Sequence, residues 1–322
     1  MPGKTILIPT PPDFSFRATV YSHGWSELLP FELDVETWRL TYVFTDAKGR
    51  SVTGVMSEAE SGVNVELASG RIDLDHVARD ARHILRLDDD LTSFYELTDG
   101  HEHLAWISQR RAGRMIRSAT VWEDLVKTMC TTNCSWGLTK IMVRNLVEKL
   151  GDPCGSSRVS KGVTRAETSN ASRTRNAFPT PTAMASVLES FYRTEIKAGY
   201  RSPYMLELAE AVASGKLNPE QWLNSLLSGP ELRKEMKQVK GIGDYAADNL
   251  LKLVGKYDGL ALDSWLRSQF YKKYNKEKVC KDTKIERHYK KFGDWRGLVI
   301  WCDMTERWLS NDIGATPLQQ QL

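Results

Sequence analysis

Residues 239–253 read VKGIGDYAADNLLKL, in which two glycines one residue apart stand directly before a run of helix-forming residues. Apolar residues recur at helical spacing in residues 230–239 and 244–254, so the sequence predicts two helices joined by a turn at residues 240–243. Glycine permits positive φ in such a turn and exposes backbone N–H groups beside the second helix's N-terminus. Those groups suit a phosphate, and Lys240 adds a positive charge. A helix–helix turn without any ligand has the same pattern, so the glycines alone leave both interpretations open.

The composition is that of a globular protein. The chain has 322 residues, of which 41% are hydrophobic and 26% charged, and this length suits one large or two modest domains. No apolar run approaches the roughly 18 residues of a membrane span, and the N-terminal ILI is too short for a signal peptide. We therefore expect an intracellular protein, in the nucleus of a eukaryote or in the cytoplasm or nucleoid of a prokaryote. Five irregularly spaced cysteines indicate neither a zinc site nor a disulfide framework.

Positive charge is concentrated in two segments, although the net charge is only +3. Residues 267–296 contain eleven Arg and Lys against four acids, and residues 155–178 contain five against one. Such segregation is found on polyanion-binding faces and also on plain solvated helix surfaces. Large apolar residues are scarce in residues 152–177, which we interpret as a flexible basic loop.

The pattern of hydrophobic residues changes along the chain. β-branched and aromatic residues in partial alternation predict strands at residues 14–21, 37–46, 51–58 and 63–69, with a hairpin turn at 46–49. After residue 71 the apolar spacing becomes helical, and it stays so over nearly all of the chain beyond residue 106, where it predicts helices that include residues 182–192 and 219–228. We expect an α+β protein, with a β-rich N-terminal domain with trailing helices at 1–105 and an α-helical domain at 106–322.

Residues 232–270 resemble the helix–hairpin–helix motif of the endonuclease III superfamily of DNA glycosylases, which cut damaged or mispaired bases from DNA. The family pattern is an apolar residue, Gly-Ile-Gly or Gly-Val-Gly, a helix, and an aspartate about twenty residues later, here Asp263. The hairpin spans residues 230–254, and Lys240 replaces the family's usual proline. The resemblance implies a two-lobed all-α domain with the active-site cleft between its lobes.

Three further motifs follow the family's order, so that the resemblance covers about residues 80–312: residues 113–142, 176–185 (NAFPTPTAMA) and 199–212 (GYRSPYMLELAEAV). The β-rich front is similar to the N-terminal domain of two members, bacterial 3-methyladenine DNA glycosylase II and eukaryotic 8-oxoguanine DNA glycosylase. The overall pattern is closest to the former.

Asp263 is the candidate catalytic residue. Breaking an N-glycosidic bond builds positive charge on the sugar, which a carboxylate can stabilise while it activates water. In ALDSWL the same aspartate is also an acceptable helix N-cap, and the two roles can coexist.

Tyr245 stands where the strand-cutting members carry a lysine that forms a Schiff base with the sugar. Tyrosine cannot form one, and Lys252, two turns further along the helix, is a poor substitute. We therefore predict a monofunctional enzyme. Alternatively, Tyr245 is an aromatic residue of the hydrophobic core and takes no part in the reaction.

Three residues match positions that the family inserts into the duplex or places beside the unpaired base: Asn133, Tyr200 and Arg201. The alternatives are an asparagine that caps the helix at Ser135 and a structural Tyr-Arg pair. Where the 8-oxoguanine enzymes carry an arginine that reads the opposite cytosine, this chain has Leu138, which argues against that substrate.

Aromatic residues suggest a pocket for an electron-poor alkylated base, because cationic rings favour aromatic faces. The candidates are Trp136, Trp265, Phe94 and Tyr95, and core packing is the alternative for each of them.

The resemblance implies that the hairpin contacts the DNA backbone through Lys240, Gly241, Ile242 and Gly243. It also implies a structural Na⁺ or K⁺ at the backbone carbonyls of Lys237, Val239 and Ile242. No cysteine follows Cys302, so we expect no iron–sulfur cluster. The expected partner is double-stranded DNA that contains a damaged base. We expect the protein to be a monomer and to have no membrane partner.

The sequence thus favours a base-excision-repair glycosylase that acts on alkylated bases. Two alternatives remain open: a bifunctional 8-oxoguanine-type glycosylase/lyase that uses another lysine, and a non-catalytic helix–hairpin–helix module that only binds DNA.

Overall fold

The N-terminal part of the chain forms one antiparallel sheet with the strand order β1-β5-β4-β3-β2. The computed structural model describes residues 3–154 and 175–309. The strands are β1 (Lys4–Ile8), β2 (Glu32–Asp34), β3 (Arg39–Thr45), β4 (Ser51–Ala59) and β5 (Gly62–Leu67). β3 and β4 pair from Arg39 opposite Ser57 to Thr45 opposite Ser51. Gly49 closes their turn with a φ of 70°, which glycine adopts without strain. The predicted hairpin and three of the four predicted strands are confirmed.

The prediction of a strand at residues 14–21 is wrong. This segment contains the short helix α1 (Phe16–Val20), whose N-cap Ser15 accepts a hydrogen bond from the Ala18 N–H. The consecutive residues Ala18, Thr19, Val20 and Tyr21 are all buried, so burial here does not alternate as it would on one face of a strand. The side-chain cap favours helix at the position where residue composition favoured strand.

Helices make up most of the remaining described chain. They are α2 (Leu74–Ile84), α3 (Thr92–Asp99), α4 (Trp106–Gln109), α5 (Val121–Thr131), α6 (Trp136–Leu150), α7 (Pro181–Ala185), α8 (Glu189–Phe191), α9 (Ser202–Ala213), α10 (Gly229–Met236), α11 (Asp244–Leu253), α12 (Ser264–Tyr274), α13 (Asp282–Tyr289) and α14 (Arg296–Leu309). In the described parts of the chain, no helix combines the length and the apolar character needed to cross a membrane.

Two predicted helices are shorter or more irregular than expected. Residues 182–192 fall into α7, α8 and a π-helical turn, Tyr192–Ile196, which ends at Lys197 with a φ of 68°. Residues 219–228 form only a 3₁₀ turn, Pro219–Asn224. Both segments begin with a proline or polar start signal, which fixes where a helix begins but not how far it continues.

Two hydrophobic cores organise the described residues. One joins the inner face of the sheet and α2 with α5, α6, α9 and α11. The other joins α3 with α12, α13 and α14, and takes in Ala18 and Tyr21 from α1 and its C-cap. Each core therefore contains residues from both sides of residue 105, and the proposed domain division at that point stays a prediction.

The ends of the predicted basic loop are held together as an antiparallel stem. The Ala177 N–H donates to the Asp152 carbonyl at 2.9 Å, and the Cys154 N–H donates to the Arg175 carbonyl at 2.7 Å. The predicted flexibility of the loop concerns residues 155–174, which lie outside the described residues.

Candidate active site

A cleft of about 1300 Å³ is lined by residues of both cores. Its walls are the hairpin before α11, the start of α12, the turn between α5 and α6, and the segment that contains Trp25. The two motifs that the sequence singled out, Gly-Ile-Gly and Asp263, thus meet in one cavity.

Asp263 is half-buried in this cleft and is the N-cap of α12. Its Oδ1 accepts a hydrogen bond from the Leu266 N–H at 2.7 Å, so the carboxyl group is fixed by the backbone of the helix that it caps. Burial raises its pKa above the usual aspartate value, while the Leu266 N–H and the positive charges of Lys252 and Arg267 oppose that rise. Asp263 therefore both caps α12 and lies in the cleft.

The backbone before Asp263 has an unusual conformation, and a partly buried hydrogen bond holds it. Ala261 has a φ of 53°, which is unfavourable for a residue with a Cβ. The Ala261 N–H donates to Asp248 Oδ2 at 3.2 Å, and Arg233 Nε donates to the other oxygen of the same carboxylate. Sequence reasoning missed Asp248, because an aspartate within a helix looks like an ordinary surface residue.

Tyr245 is half-buried on the first turn of α11 and lines the cleft. Its hydroxyl interacts with the side chains of Thr131 and Asn249. Burial and the negative charge of Asp263 raise the pKa of this hydroxyl, so it stays protonated and is available as a donor. The position is part of the cavity and not of the core.

Lys252 does not reach the cleft. It is completely buried, and its Nζ donates to the Leu260 carbonyl at 3.2 Å. Among the described residues that line the cleft, the lysines are Lys237 and Lys240. Both are engaged in ion pairs at the hairpin, with Asp244 and Glu207 respectively.

Four tryptophans line the cleft, and two of them were predicted. Trp136 and Trp265 lie there as expected, and Trp25 and Trp301 join them. The latter two are far from the motifs in the sequence, and no local pattern indicates them. Trp265 packs against Trp301 with 6.1 Å between ring centroids.

The prediction that Phe94 and Tyr95 line the pocket is wrong. Phe94 is fully buried in the second core, where it packs against Trp295 at 5.3 Å between ring centroids, and Tyr95 packs against the same core. Neither residue contributes to the cleft. The helix α3 directs them inward because it packs with the C-terminal helices.

The indole N–H groups of three of these tryptophans bind to protein. Trp25 donates to Asp124 at 2.7 Å, and Trp136 donates to Glu27 at 3.1 Å. Trp301 donates to the Ser22 carbonyl at 3.0 Å. These bonds fix the rings and leave the aromatic surface as the part that a ligand can contact. A Cβ at Gly24 would lie 2.4 Å from the Trp136 ring, so only glycine fits there.

Two ionisable groups lie behind the tryptophans. His23 contacts the Ile116 carbonyl through Nε2 at 2.6 Å, and burial lowers its pKa to about 4, so it is neutral at neutral pH. Asp124 is buried under Trp25, and burial raises its pKa to about 6, so it is mostly ionised at pH 7. Asp124 therefore places a negative charge beneath Trp25 at neutral pH, close to the buried ion pair of Lys127 and Glu123.

Asn133 and Tyr200 lie together at the rim of the cleft. Asn133 is exposed with a φ of 46°, and its Nδ2 donates to the Tyr200 hydroxyl at 3.2 Å. Tyr200 is 48% exposed. Ser135 itself caps α6 by accepting a hydrogen bond from the Leu138 N–H, so the capping alternative for Asn133 is wrong.

Arg201 is buried, with only 3% of its surface exposed. Its Nε donates to Thr132 Oγ1 at 3.1 Å, and its guanidinium lies 4.5 Å from the Tyr200 ring centroid. The predicted direct contact with DNA does not fit this burial. The residue is instead placed to support Tyr200.

The hairpin has the predicted glycine conformation. Gly241 has a φ of 89°, and the Ile242 N–H donates to the Val239 carbonyl at 3.0 Å. Ile242 is buried and anchors the turn, whereas Gly243 is exposed and is the N-cap of α11. A glycine cap has no side chain to bind the first N–H groups of the helix, which suits them to an anion.

Replacing Gly241 with alanine tests the hairpin. We expect a cost of about 1 kcal/mol in stability and a several-fold weaker affinity for duplex DNA, because alanine is strained at this φ and its Cβ would lie 3.1 Å from the Tyr204 ring. Gly215→Ala is the matched control, since Gly215 also has a positive φ, of 75°, but has no neighbouring atom within 4 Å. Anisotropy titrations of both variants against an abasic-site duplex check this. Equal affinities would contradict a role of the hairpin in binding.

The fold is known from solved structures. The chain is similar to the 3-methyladenine DNA-glycosylase from Archaeoglobus fulgidus, with a TM-score of 0.70, 18% identity, and coverage of 96% of this chain and 99% of that one. It is similar to the 8-oxoguanine glycosylase/lyase of Clostridium acetobutylicum in its apo form, with a TM-score of 0.69, 16% identity, and coverage of 94% and 97%. The structure of that enzyme in complex with double-stranded DNA containing cytosine opposite 8-oxoG is similar as well, with a TM-score of 0.67, 18% identity, and coverage of 92% of this chain and 92% of that one.

No protein-family model matches the sequence, and no curated protein matches it. The similarity to the solved structures extends over almost the whole chain, including both the antiparallel sheet and the helices around the cleft. The predicted α+β class is confirmed, and the chain shares its fold with these solved structures.

Proposed function

We propose that the protein is a DNA glycosylase that removes an alkylated base from double-stranded DNA by hydrolysis and leaves an abasic site. The observation that carries this proposal is the meeting of Asp263, an aromatic wall and the Gly-Ile-Gly hairpin in one cleft. The names of the similar solved structures, which are glycosylases, support the same reaction class.

The reaction breaks the bond between C1′ and the base nitrogen, and the electron pair leaves with the base. The ionised Asp263 carboxylate stabilises the positive charge that develops on the sugar. A water oxygen then bonds to C1′, and Asp263 accepts the proton that the water loses. The cap bond from the Leu266 N–H holds Oδ1 of this carboxylate in place.

A flipped base would enter the cleft against the tryptophans, since a glycosylase must take its target out of the stack. The cleft offers π surface, a neutral His23 and the Asp263 carboxylate, and the Asp124 carboxylate lies buried beneath Trp25. A base made cationic by alkylation gains from each of these features, whereas a neutral base gains only the stacking. The cavity therefore favours an alkylated purine over an oxidised one.

The positions of the lysines support hydrolysis without strand cleavage. A Schiff base requires an amine at the sugar, and the α11 residues that line the cleft are Asp244, Tyr245, Ala246 and Asn249, none of which is a lysine. Lys252 is buried behind the cleft, and Lys237 and Lys240 are paired at the hairpin. We propose a monofunctional enzyme.

The proposed complex is held at two places. The hairpin N–H groups bind a backbone phosphate, and Asn133 with Tyr200 fills the space that the flipped nucleotide leaves. A Na⁺ or K⁺ at the carbonyls of Lys237, Val239 and Ile242 would add positive charge beside that phosphate. The Val239 carbonyl accepts one hydrogen bond, from Ile242, and retains a second lone pair for such an ion. We propose that the protein acts inside the cell, as a monomer on damaged DNA.

Single-turnover assays on duplexes with one defined lesion test the substrate class. We expect alkali-labile abasic sites from 3-methyladenine, 7-methylguanine or ethenoadenine, with intact strands before alkali and no borohydride-trapped adduct. Cleavage of 8-oxoguanine or uracil duplexes alone would overturn the alkylated-base assignment. A trapped adduct would instead favour the glycosylase/lyase alternative, which is the activity named for the Clostridium structures.

A further inference from the structure

Lys252 is a buried cation without an evident packing reason. It lies on α11 with 0% exposure, and its Nζ donates to the Leu260 carbonyl. Burying an ammonium costs several kcal/mol unless charges and hydrogen bonds compensate. A leucine or methionine would fill the same space at no such cost.

The carbonyl that Lys252 binds belongs to a peptide group that Asp248 binds as well. The Leu260 C=O and the Ala261 N–H are the two polar ends of one peptide unit. Lys252 donates to the first end at 3.2 Å, and Asp248 accepts from the second at 3.2 Å. The two side chains are four residues apart and therefore lie on one face of α11. Together they hold both ends of this peptide.

This peptide group determines where Asp263 lies. It precedes Ala261, whose φ of 53° turns the chain into the N-cap of α12. A residue with a Cβ keeps such a conformation only where its surroundings hold it, and here both polar ends of the preceding peptide are held. Lys252 and Asp248 therefore hold the backbone that positions the Asp263 carboxylate. They act through this backbone and not by contact with the substrate.

The charge of Lys252 also acts on Asp263. Among charged groups, Lys252 and Arg267 face Asp263 and lower its pKa, and the neutral Tyr245 also faces it. Arg267 is already ion-paired with Asp282, which weakens its effect.

The groups that face Lys252 keep it protonated. They are the carboxylates of Asp248 and Asp263; the Cys302 thiol also faces Lys252 but is neutral, because burial raises its pKa to about 12. Burial lowers the pKa of Lys252 to about 8, and the two carboxylates oppose this change. Lys252 is therefore an ammonium ion from neutral to acidic pH.

We propose that Lys252 is a positioning residue for base excision, which holds the Leu260–Ala261 peptide together with Asp248 and keeps the Asp263 carboxylate ionised in a half-buried site. This inference rests on the proposed function, because it assigns Lys252 a part in the same reaction.

Lys252→Met tests the inference through a pH profile. In single-turnover excision from a 7-methylguanine duplex, the acidic limb should move to higher pH by about one unit, because an opposite charge near a carboxylate lowers its pKa by about 1–3 units. Lys272→Met removes an exposed positive charge from α12 and should leave the limb unchanged. An unshifted limb in Lys252→Met would overturn the inference.

Carboxyl-carbon NMR titration of the DNA-free protein separates this inference from the proposed function. The Asp263 resonance, identified by its loss in Asp263→Asn, should titrate at higher pH in Lys252→Met than in the wild type. An unchanged titration contradicts the inference. A shifted titration in a protein that excises no base would contradict the glycosylase proposal and support the Lys252–Asp263 coupling.

A reciprocal measurement covers the case in which Lys252→Met does not fold. Asp263→Asn keeps the helix cap and should lower the pKa of Lys252 further, as seen in the lysine side-chain carbon signals. The same Lys252 pKa in both proteins would refute the coupling.

Discussion

Asp263→Asn is expected to lower the single-turnover rate of base excision by about 10²–10⁴-fold while duplex affinity stays the same. Asparagine lacks the negative charge that stabilises the sugar cation and cannot accept the proton of water. It is as good an N-cap as aspartate, so α12 and the wall of the cleft should be preserved. Excision rates at enzyme excess, with anisotropy on an abasic-site duplex, measure the two effects separately.

The matched control is Asp73→Asn. Asp73 is the N-cap of α2, where its carboxylate accepts from the N–H groups of Asp75 and His76, and it is not in the cleft. This variant should excise at the wild-type rate. Full activity of Asp263→Asn would remove Asp263 from the mechanism, whereas equal losses in both variants would point to a general effect of charge or stability.

Trp136→Ala is expected to reduce excision of 7-methylguanine by about tenfold to a hundredfold, because stacking of one base on an aromatic ring contributes about 1–3 kcal/mol. Trp136→Phe keeps a π face and should retain most of the activity. Trp38→Ala is the control, since this tryptophan packs against Arg17 and Tyr21 and does not line the cleft. Single-turnover rates for the three variants provide the comparison.

The choice of lesion makes the tryptophan experiment specific. If the wall selects cationic bases, the loss in Trp136→Ala should be larger for 7-methylguanine than for neutral ethenoadenine. A wild-type rate on both lesions would show that Trp136 does not contact the base. Equal losses on both would show stacking without charge selection, which contradicts the argument for a cationic substrate.

Local patterns in the sequence predict the parts of the site that depend on short spacing. Gly-Ile-Gly predicts the turn because its first glycine needs a positive φ, and an aspartate before an apolar helix predicts the cap at Asp263. The similarity in motif order then supplies the functional meaning of both. Trp136 was predicted as well, because it lies within one of those motifs.

The remaining parts depend on tertiary packing, which spacing does not encode. Trp25 and Trp301 reach the cleft from opposite ends of the chain. Asp248 and Lys252 hold the Leu260–Ala261 peptide because the loop after α11 returns along this helix. An aspartate and a lysine within a helix do not by themselves predict such a contact. The prediction that Phe94 lines the pocket is wrong for the same reason. Its aromatic character does not indicate that it packs into the second core.

The most direct test of the account is mass spectrometry of the bases released when the protein is incubated with a methylated duplex. We expect free 7-methylguanine or 3-methyladenine in the supernatant from the wild-type protein, release that is slower by about 10²–10⁴-fold in Asp263→Asn, and an unbroken sugar–phosphate backbone in both. If the wild type binds the duplex but releases no base at enzyme excess, the protein is a DNA-binding module and the central claim is wrong.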